Sequence, residues 1–217
     1  MTQETAAHAA LGGWEDFYLI VGSAAAALTG LQFVVITLVT EGRTRSTTTP
    51  GGIDAFATPT IVHFCAALFA SVTLCAPWPS LVGPAILIGG EGLLGLIYTG
   101  IIIARARRQT AYTMVLEDRI WHLTLPVIVY ATLMAAAFFL VAHSTLALFA
   151  IAGATLMFVY IGIHNAWDTS TFMVAQRLEL ERDGSAASPP APAAATTSPP
   201  AAPTAAEPVG AAHDTSR

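Results

Sequence analysis

Glu91 is the residue that apolar packing explains least. It stands in Gly89-Gly90-Glu91-Gly92, near the middle of a long apolar run. A carboxylate at the centre of a bilayer costs on the order of 3 kcal/mol on insertion scales, and such residues usually face a partner or a cavity. Burial disfavours the charged form, so a neutral, hydrogen-bonded carboxyl is expected. Thr29, Thr132, Tyr130 and Thr155 lie at similar depth as candidate partners, and Tyr98 lies two turns along the same helix face. With Gln32, a polar residue of the first apolar run, Glu91 and Tyr98 make up a candidate intramembrane polar site. The chemistry open to it is proton or cation handling. The plainer reading is a protonated structural carboxyl. A third takes Pro79, Pro84 and the glycines as a broken or re-entrant segment, which would leave Glu91 in a wetter place.

Histidines form the second constellation. His8 and His213 lie in the terminal segments and His143 in a turn, but His63, His122 and His164 all fall at the same ends of their apolar runs. Asp168 follows His164 by four residues, on the same helix face. Three imidazoles and a carboxylate at one depth have the donor set for a transition metal such as zinc. They also suit a pH-responsive hydrogen-bond network. Unrelated interfacial histidines would look the same, since no two of these share a short ligand motif. CxxC, GxSxG, HExxH and a glycine-rich phosphate loop are all absent from the sequence. No catalytic residue is assigned, and no cofactor is expected apart from that metal alternative.

These residues need elements to hold them, and the composition says which kind. Of 217 residues, 54% are hydrophobic and 11% charged, and the mean hydropathy is +0.63. Soluble domains carry about 25% charged residues, so a water-soluble globular enzyme is disfavoured. A net charge of -5 without a single lysine argues against nucleic-acid binding. The expected class is an all-α polytopic membrane protein. Five apolar runs approach the length of about 20 residues that a span needs: 17–39, 59–77, 81–104, 122–142 and 145–164.

Charge orients them. All nine basic residues are arginines. In a five-span arrangement they fall on one side, with Arg43 and Arg45 after the first span and Arg105, Arg107 and Arg108 after the third. Cytoplasmic loops are enriched in basic residues, which predicts the amino terminus outside and the carboxyl terminus inside. Trp14 and Trp78 then sit at outer ends, and Trp121 and Trp167 at inner ends, where tryptophan prefers to lie. The run Arg105-Ala106-Arg107-Arg108 can also touch anionic headgroups, although fixing topology is its simpler role.

Helix packing in lipid relies on small residues. The candidates are Gly22/Ala26/Gly30 in the first run, Ala66/Ala70 and Ala67/Ser71 in the second, Gly92/Gly95/Thr99 in the third, and Gly153 with Tyr160 and His164 in the fifth. One of these stripes is a candidate homo-oligomer contact. Cys65 and Cys75 are ten residues apart on one helix, about 15 Å, too far for a disulfide. Both are expected to be buried small residues. The first 13 residues lack the basic start of a secretory signal, so the first run is read as a retained helix behind an extracytoplasmic segment, 1–13.

The last span is expected to continue as a cytoplasmic helix to about residue 182, supported by the Arg177/Glu181 pair. From Gly184 to Arg217 the chain holds seven of the 13 prolines and little that can be buried. That composition predicts a disordered tail, either a plain linker or a tether for a cytoplasmic protein.

The strings Phe17-Tyr18 … Gly22-Ser23-Ala24-Ala25-Ala26-Ala27-Leu28-Thr29-Gly30-Leu31-Gln32-Phe33-Val34 and His164-Asn165-Ala166-Trp167-Asp168 resemble small uncharacterised multi-pass membrane proteins of bacteria. The resemblance spans about residues 14–170. It implies a small multi-pass membrane protein of bacterial type and brings no activity or site residue; the count of five helices rests on the apolar runs. The expectation is a non-enzymatic membrane scaffold or sensor-like protein with the lipid bilayer as its first partner. The alternative is a proton- or metal-handling transporter or channel subunit using Glu91 and the inner histidines.

Overall fold

Inside a bilayer a chain must satisfy its own backbone hydrogen bonds, and helices do so within one segment. The computed structural model describes residues 2–43, 51–108 and 119–186, and among them every regular element is helical. Helix α1 is Gln3–Leu11, capped where the Thr2 hydroxyl accepts from the Thr5 N–H. One 3₁₀ turn, Gly12–Trp14, leads into α2, Glu15–Arg43. Helix α3 is Gly51–Cys75 and α4 is Val82–Arg108. A π-turn at Ile120–Thr124 opens α5, Leu125–Phe139, and α6 is Ser144–Ala186.

Four of these stretches are long and apolar enough to cross a membrane: Gln3–Leu38, Val82–Ala104, Ile120–Phe139 and Ser144–Thr171. The apolar part of α3, Pro59–Cys75, is shorter. The chain divides into two units, Met1–Arg177 and Leu178–Arg217. The described part of the second is the end of α6 up to Ala186, so the helix runs a turn past its expected end. The rest of the expected tail lies outside the described residues, as does Arg45.

Several element boundaries differ from the sequence reading for identifiable reasons. The apolar pattern starts a span at Pro59, but α3 begins earlier, at Gly51, and carries Pro59 inside it. Apolar helices tolerate such prolines because neighbouring groups take up the freed backbone positions. Pro84 sits in the first turn of α4, where no N–H is needed. Helix α4 is continuous for 27 residues, which sets aside the re-entrant reading of Glu91. Pro126 removes the N–H that would close the turn on His122. The chain widens there instead, and Leu125 N–H reaches the Ile120 carbonyl. The first residues are not a loose segment: α1 buries Ala7 and Leu11, and Leu11 joins the main core.

Helices α2 and α3 pair through small residues. A Cβ on Gly22 would lie 2.8 Å from Ser71 Cβ, and Ala25, Ala66, Ala67 and Ala70 are buried. Helices α4 and α5 pair still more closely. A Cβ on Gly92 would come within 2.7 Å of the Met134 backbone nitrogen and 2.9 Å of the Tyr130 carbonyl oxygen, and one on Gly95 would enter the Tyr130 ring. Helix α6 serves both pairs. Of its apolar stretch 56% is buried, against 22% to 33% for the other three candidate spans. Its Gly162 admits the Phe64 ring from α3, and its Phe158 packs on Tyr130 of α5 with ring centroids 4.6 Å apart.

The two ends of this bundle can be told apart by their contacts. Trp14 meets Phe149 near the start of α6 at 4.7 Å. Cys75 Sγ lies 4.0 Å from the Glu15 carbonyl, and the Trp78 indole donates to Thr73 O at 2.6 Å. At the other end Trp121 stacks on His164. Helices α2 to α6 therefore alternate in direction. The outer surface is apolar, with Ile20, Ile86, Leu94, Phe138 and Leu146 each more than two-thirds exposed.

Candidate functional site

Tyr130 organises the bundle's polar interior. It is 2% exposed because Gly92 and Gly95 leave α4 without side chains where the α5 ring must fit. His63 of α3 meets the Tyr130 ring edge-on at 6.1 Å and the Phe158 ring at 5.9 Å. Both His63 ring nitrogens are shielded and lack a hydrogen-bond partner among the described residues. The Pro59 carbonyl one turn back lies near the ring without meeting hydrogen-bond geometry. Glu91, Tyr98 and Cys65 lie within electrostatic reach of Tyr130, and His122 within reach of His63.

The Glu91 carboxyl is buried as expected but not partnered as expected. Both of its oxygens are shielded and neither has a hydrogen bond among the described residues. The three threonines proposed as partners direct their hydroxyl protons elsewhere. Thr29, Thr132 and Thr155 each donate at 2.8 Å to their own helix, at the carbonyls of Ala25, Ile128 and Ile151. A threonine in an apolar helix has that carbonyl within reach before any neighbouring helix arrives.

The histidines separate into two groups. His63 belongs to the interior just described. His164 lies parallel on Trp121, 3.9 Å between centroids and 20° between planes, and its Nε2 stands 3.1 Å from Asp168 Oδ2. The separation is that of an ion pair, although the angle misses hydrogen-bond geometry. Among the described residues no group of three or more His, Cys, Asp or Glu side chains comes close enough to hold a metal ion. The four-residue metal set His63, His122, His164 and Asp168 is therefore not assembled. A shared depth did not amount to a shared face.

Gln32 is 5% exposed and lines a groove with Phe64 of α3 and Trp167 of α6. That groove has no described wall residue from α4, the helix that carries Glu91 and Tyr98. Tyr98 is partly buried on α4. Of the topology-setting arginines, Arg43, Arg105, Arg107 and Arg108 lie at the ends of α2 and α4.

Other expectations need correction. Cys65 and Cys75 are both exposed rather than buried, and both are free thiols. They sit on the outer side of α3, opposite Ala67 and Ala70. The stripe Gly22/Ala26/Gly30 divides, with Gly22 inside and Ala26 and Gly30 outside. A strict four-residue repeat outruns 3.6 residues per turn, so the buried face steps instead through Tyr18, Val21, Ala25 and Gln32. In α6 the expected stripe is likewise an outer face. Gly153 and Tyr160 are exposed, and the helix contact falls on Gly162.

Two interior residues escape the sequence reading. Asn165 is fully buried with both side-chain polar atoms unpartnered, and Tyr18 is buried with an unpartnered hydroxyl. The polarity of Asn165 reads as the end of a span, whereas α6 continues well beyond it to Ala186. The available signal is its spacing of seven and four residues from the apolar Phe158 and Ile161, which places it on their face.

Comparison with known proteins finds no matching family model, no matching curated protein and no matching solved structure.

Proposed function

We propose that this chain is a five-helix integral protein of a bacterial cytoplasmic membrane, with its amino terminus outside and carboxyl terminus inside. In this reading it acts as a non-enzymatic, sensor-like scaffold. The five-span arrangement counts α3 as a span. The whole of that helix, Gly51–Cys75, is long enough at 1.5 Å per residue to reach about 37 Å. The arrangement draws support from the alternating helix directions, which put Arg43, Arg105, Arg107, Arg108, Arg119 and Arg177 toward the end marked by Trp121 and His164. A carboxyl-terminal fusion tests it. Green fluorescent protein after Arg217 should fluoresce and alkaline phosphatase there should be inactive; the reverse pattern overturns the orientation.

The observation that carries the sensor reading is the pair of buried ionisable groups without hydrogen bonds among the described residues, Glu91 and His63, both near Tyr130. A change in the charge of either group is felt directly where α3, α4, α5 and α6 meet. Hydrogen exchange of the α4 and α5 backbone, compared at two pH values in proteoliposomes, is the test. Wild-type exchange should differ between the two and the Glu91→Gln/His63→Phe double variant should not. Identical wild-type profiles would remove the sensor reading.

A proton-handling transporter or channel subunit is the second reading, and the shielded Glu91 carboxyl favours it. It requires proton flux into dye-loaded proteoliposomes that Glu91→Gln abolishes. Flux that survives the substitution excludes Glu91 from any path.

A further inference from the structure

Helices α2, α3 and α6 leave a groove of about 240 Å³ on the flank of the bundle. Its walls are Leu28, Leu31, Val35, Phe64 and Ile163, and one buried polar side chain, Gln32, opens into it. The Gln32 amide makes no hydrogen bond to any described residue, although the residue is only 5% exposed. Trp167, 70% exposed, and Ser170 close the end of the groove nearest the arginines. Ser170 spends its proton on the Ala166 carbonyl at 2.7 Å, which leaves its oxygen as an acceptor only.

We propose that this groove binds one acyl chain of a membrane phospholipid, with the Gln32 amide donating to the ester carbonyl of that chain. The proposal rests on the reading that the chain spans a membrane. In hydrocarbon an amide without a partner is costly, and water is not there to supply one. An ester carbonyl is the acceptor that a bilayer offers. Gln32 stands between the deeper walls at Leu28 and Ile163, which would line the acyl chain, and the mouth at Trp167 and Ser170, the level at which Trp rings and glycerol esters meet. It is smaller than the pockets that usually hold drug-sized ligands, and its walls are apolar, which suits a single hydrocarbon chain rather than a polar solute. The partners of a lipid at this site are thus three: apolar contact along the walls, one donor at Gln32, and the Trp167 ring at the mouth.

The test counts phospholipid that stays with the full-length chain. Protein extracted from membranes made with phosphatidylglycerol is washed in mild detergent and weighed by native mass spectrometry. The wild type should hold about one phospholipid per chain. Gln32→Met keeps the side-chain volume and removes the donor, and should reduce retention about five-fold, as the loss of one hydrogen bond implies. Ala166→Phe fills the groove from α6 while keeping Gln32, and should also release the lipid. Unchanged retention in both variants overturns the proposal, as does a retained isoprenoid quinone or a second copy of the chain in place of phospholipid. Carbonate washing of the membranes before extraction separates the two ideas. A chain that washes off fails the membrane reading itself, whereas one that stays embedded yet holds no lipid fails only the groove.

Discussion

Two polar clusters occupy this bundle, and they are built on opposite terms. The interior one, Glu91 and His63 around Tyr130, is shielded and makes no side-chain hydrogen bonds among the described residues. The one at the arginine-bearing end, His164 with Asp168 and Trp121, is partly exposed, paired at 3.1 Å and stacked at 3.9 Å. The first lies where four helices meet; the second lies on one helix face plus one neighbouring ring. An unpartnered buried polar group costs about 1–3 kcal/mol, while an exposed ion pair contributes about 0–1 kcal/mol. The cluster with the better geometry is thus the less consequential one. The interior cluster is held in place by glycine-mediated packing and not by its own polar contacts.

That packing breaks most directly at Gly92. A valine there must push its side chain into the Met134 backbone nitrogen and the Tyr130 carbonyl, and neither belongs to a side chain that can turn away. Overpacking costs about 1–3 kcal/mol and sometimes more, so Gly92→Val should lie at the top of that range. It should lower the thermal midpoint in detergent more than any other variant considered. Gly30→Val is the control, because nothing lies within 4 Å of a Cβ at that exposed position. Equal losses at the two glycines would mean that α4 and α5 do not pack as described.

The second prediction runs the other way. If the interior carboxyl gains nothing from its surroundings, a substitution that keeps its volume and removes its polarity should help. Glu91→Met is expected to raise stability by about 1–2 kcal/mol, the desolvation cost recovered. Asn165→Leu should gain a similar or smaller amount, since both amide atoms of Asn165 are buried without partners. Either variant falling below wild type in the same unfolding assay would show that the group has a partner it depends on. A stabilised but inactive Glu91 variant would sharpen the contrast, because function would then be the reason a costly group is kept.

What is legible in the sequence follows the same division. Apolar run length and composition announce helices able to cross a membrane, because the hydrocarbon thickness fixes the length and the absence of water fixes the helix. The inner faces are legible where paired small residues coincide with the buried side of their helix. Ala66/Ala70, Ala67/Ser71 and Gly92/Gly95 are all buried. Sequence misleads where four-residue spacing imitates a stripe, as at Ala26 and Gly30, or where a polar residue imitates the end of a span, as at Asn165. Glu91 announces itself by its chemistry, but its lack of a partner does not, because whether a threonine turns to its own carbonyl is decided in three dimensions. The convergence of His63 with Tyr130 depends on which side of α3 faces α5. No one-dimensional spacing contains that fact, and the same gap allows four ligand-like residues to be grouped as a metal set that is not assembled among the described residues.

The weakest response should come from the outer pair, which tests the contrast from its other side. His164 and Asp168 are one turn apart on α6, with side chains 22% and 41% exposed. Asp168→Asn removes the charge while retaining the shape. It should change stability by no more than about 0.5 kcal/mol, since helical ion pairs of this spacing contribute about 0.3–0.5 kcal/mol. His164→Ala removes the stacking surface as well and should cost slightly more, about 1 kcal/mol, as offset-stacked rings add about 0.5–1.5 kcal/mol. The double variant separates the two terms, because the amount by which its loss falls short of the sum of the single losses is the pair's own coupling. In a chain whose other three tryptophans are phenylalanine, the Trp121 emission should rise when His164 is removed and stay unchanged in Asp168→Asn. A loss for Asp168→Asn as large as that of Gly92→Val would reverse the ranking of the two clusters: the carboxylate at the end of the bundle, and not the one in its centre, would then be the charge on which the fold depends.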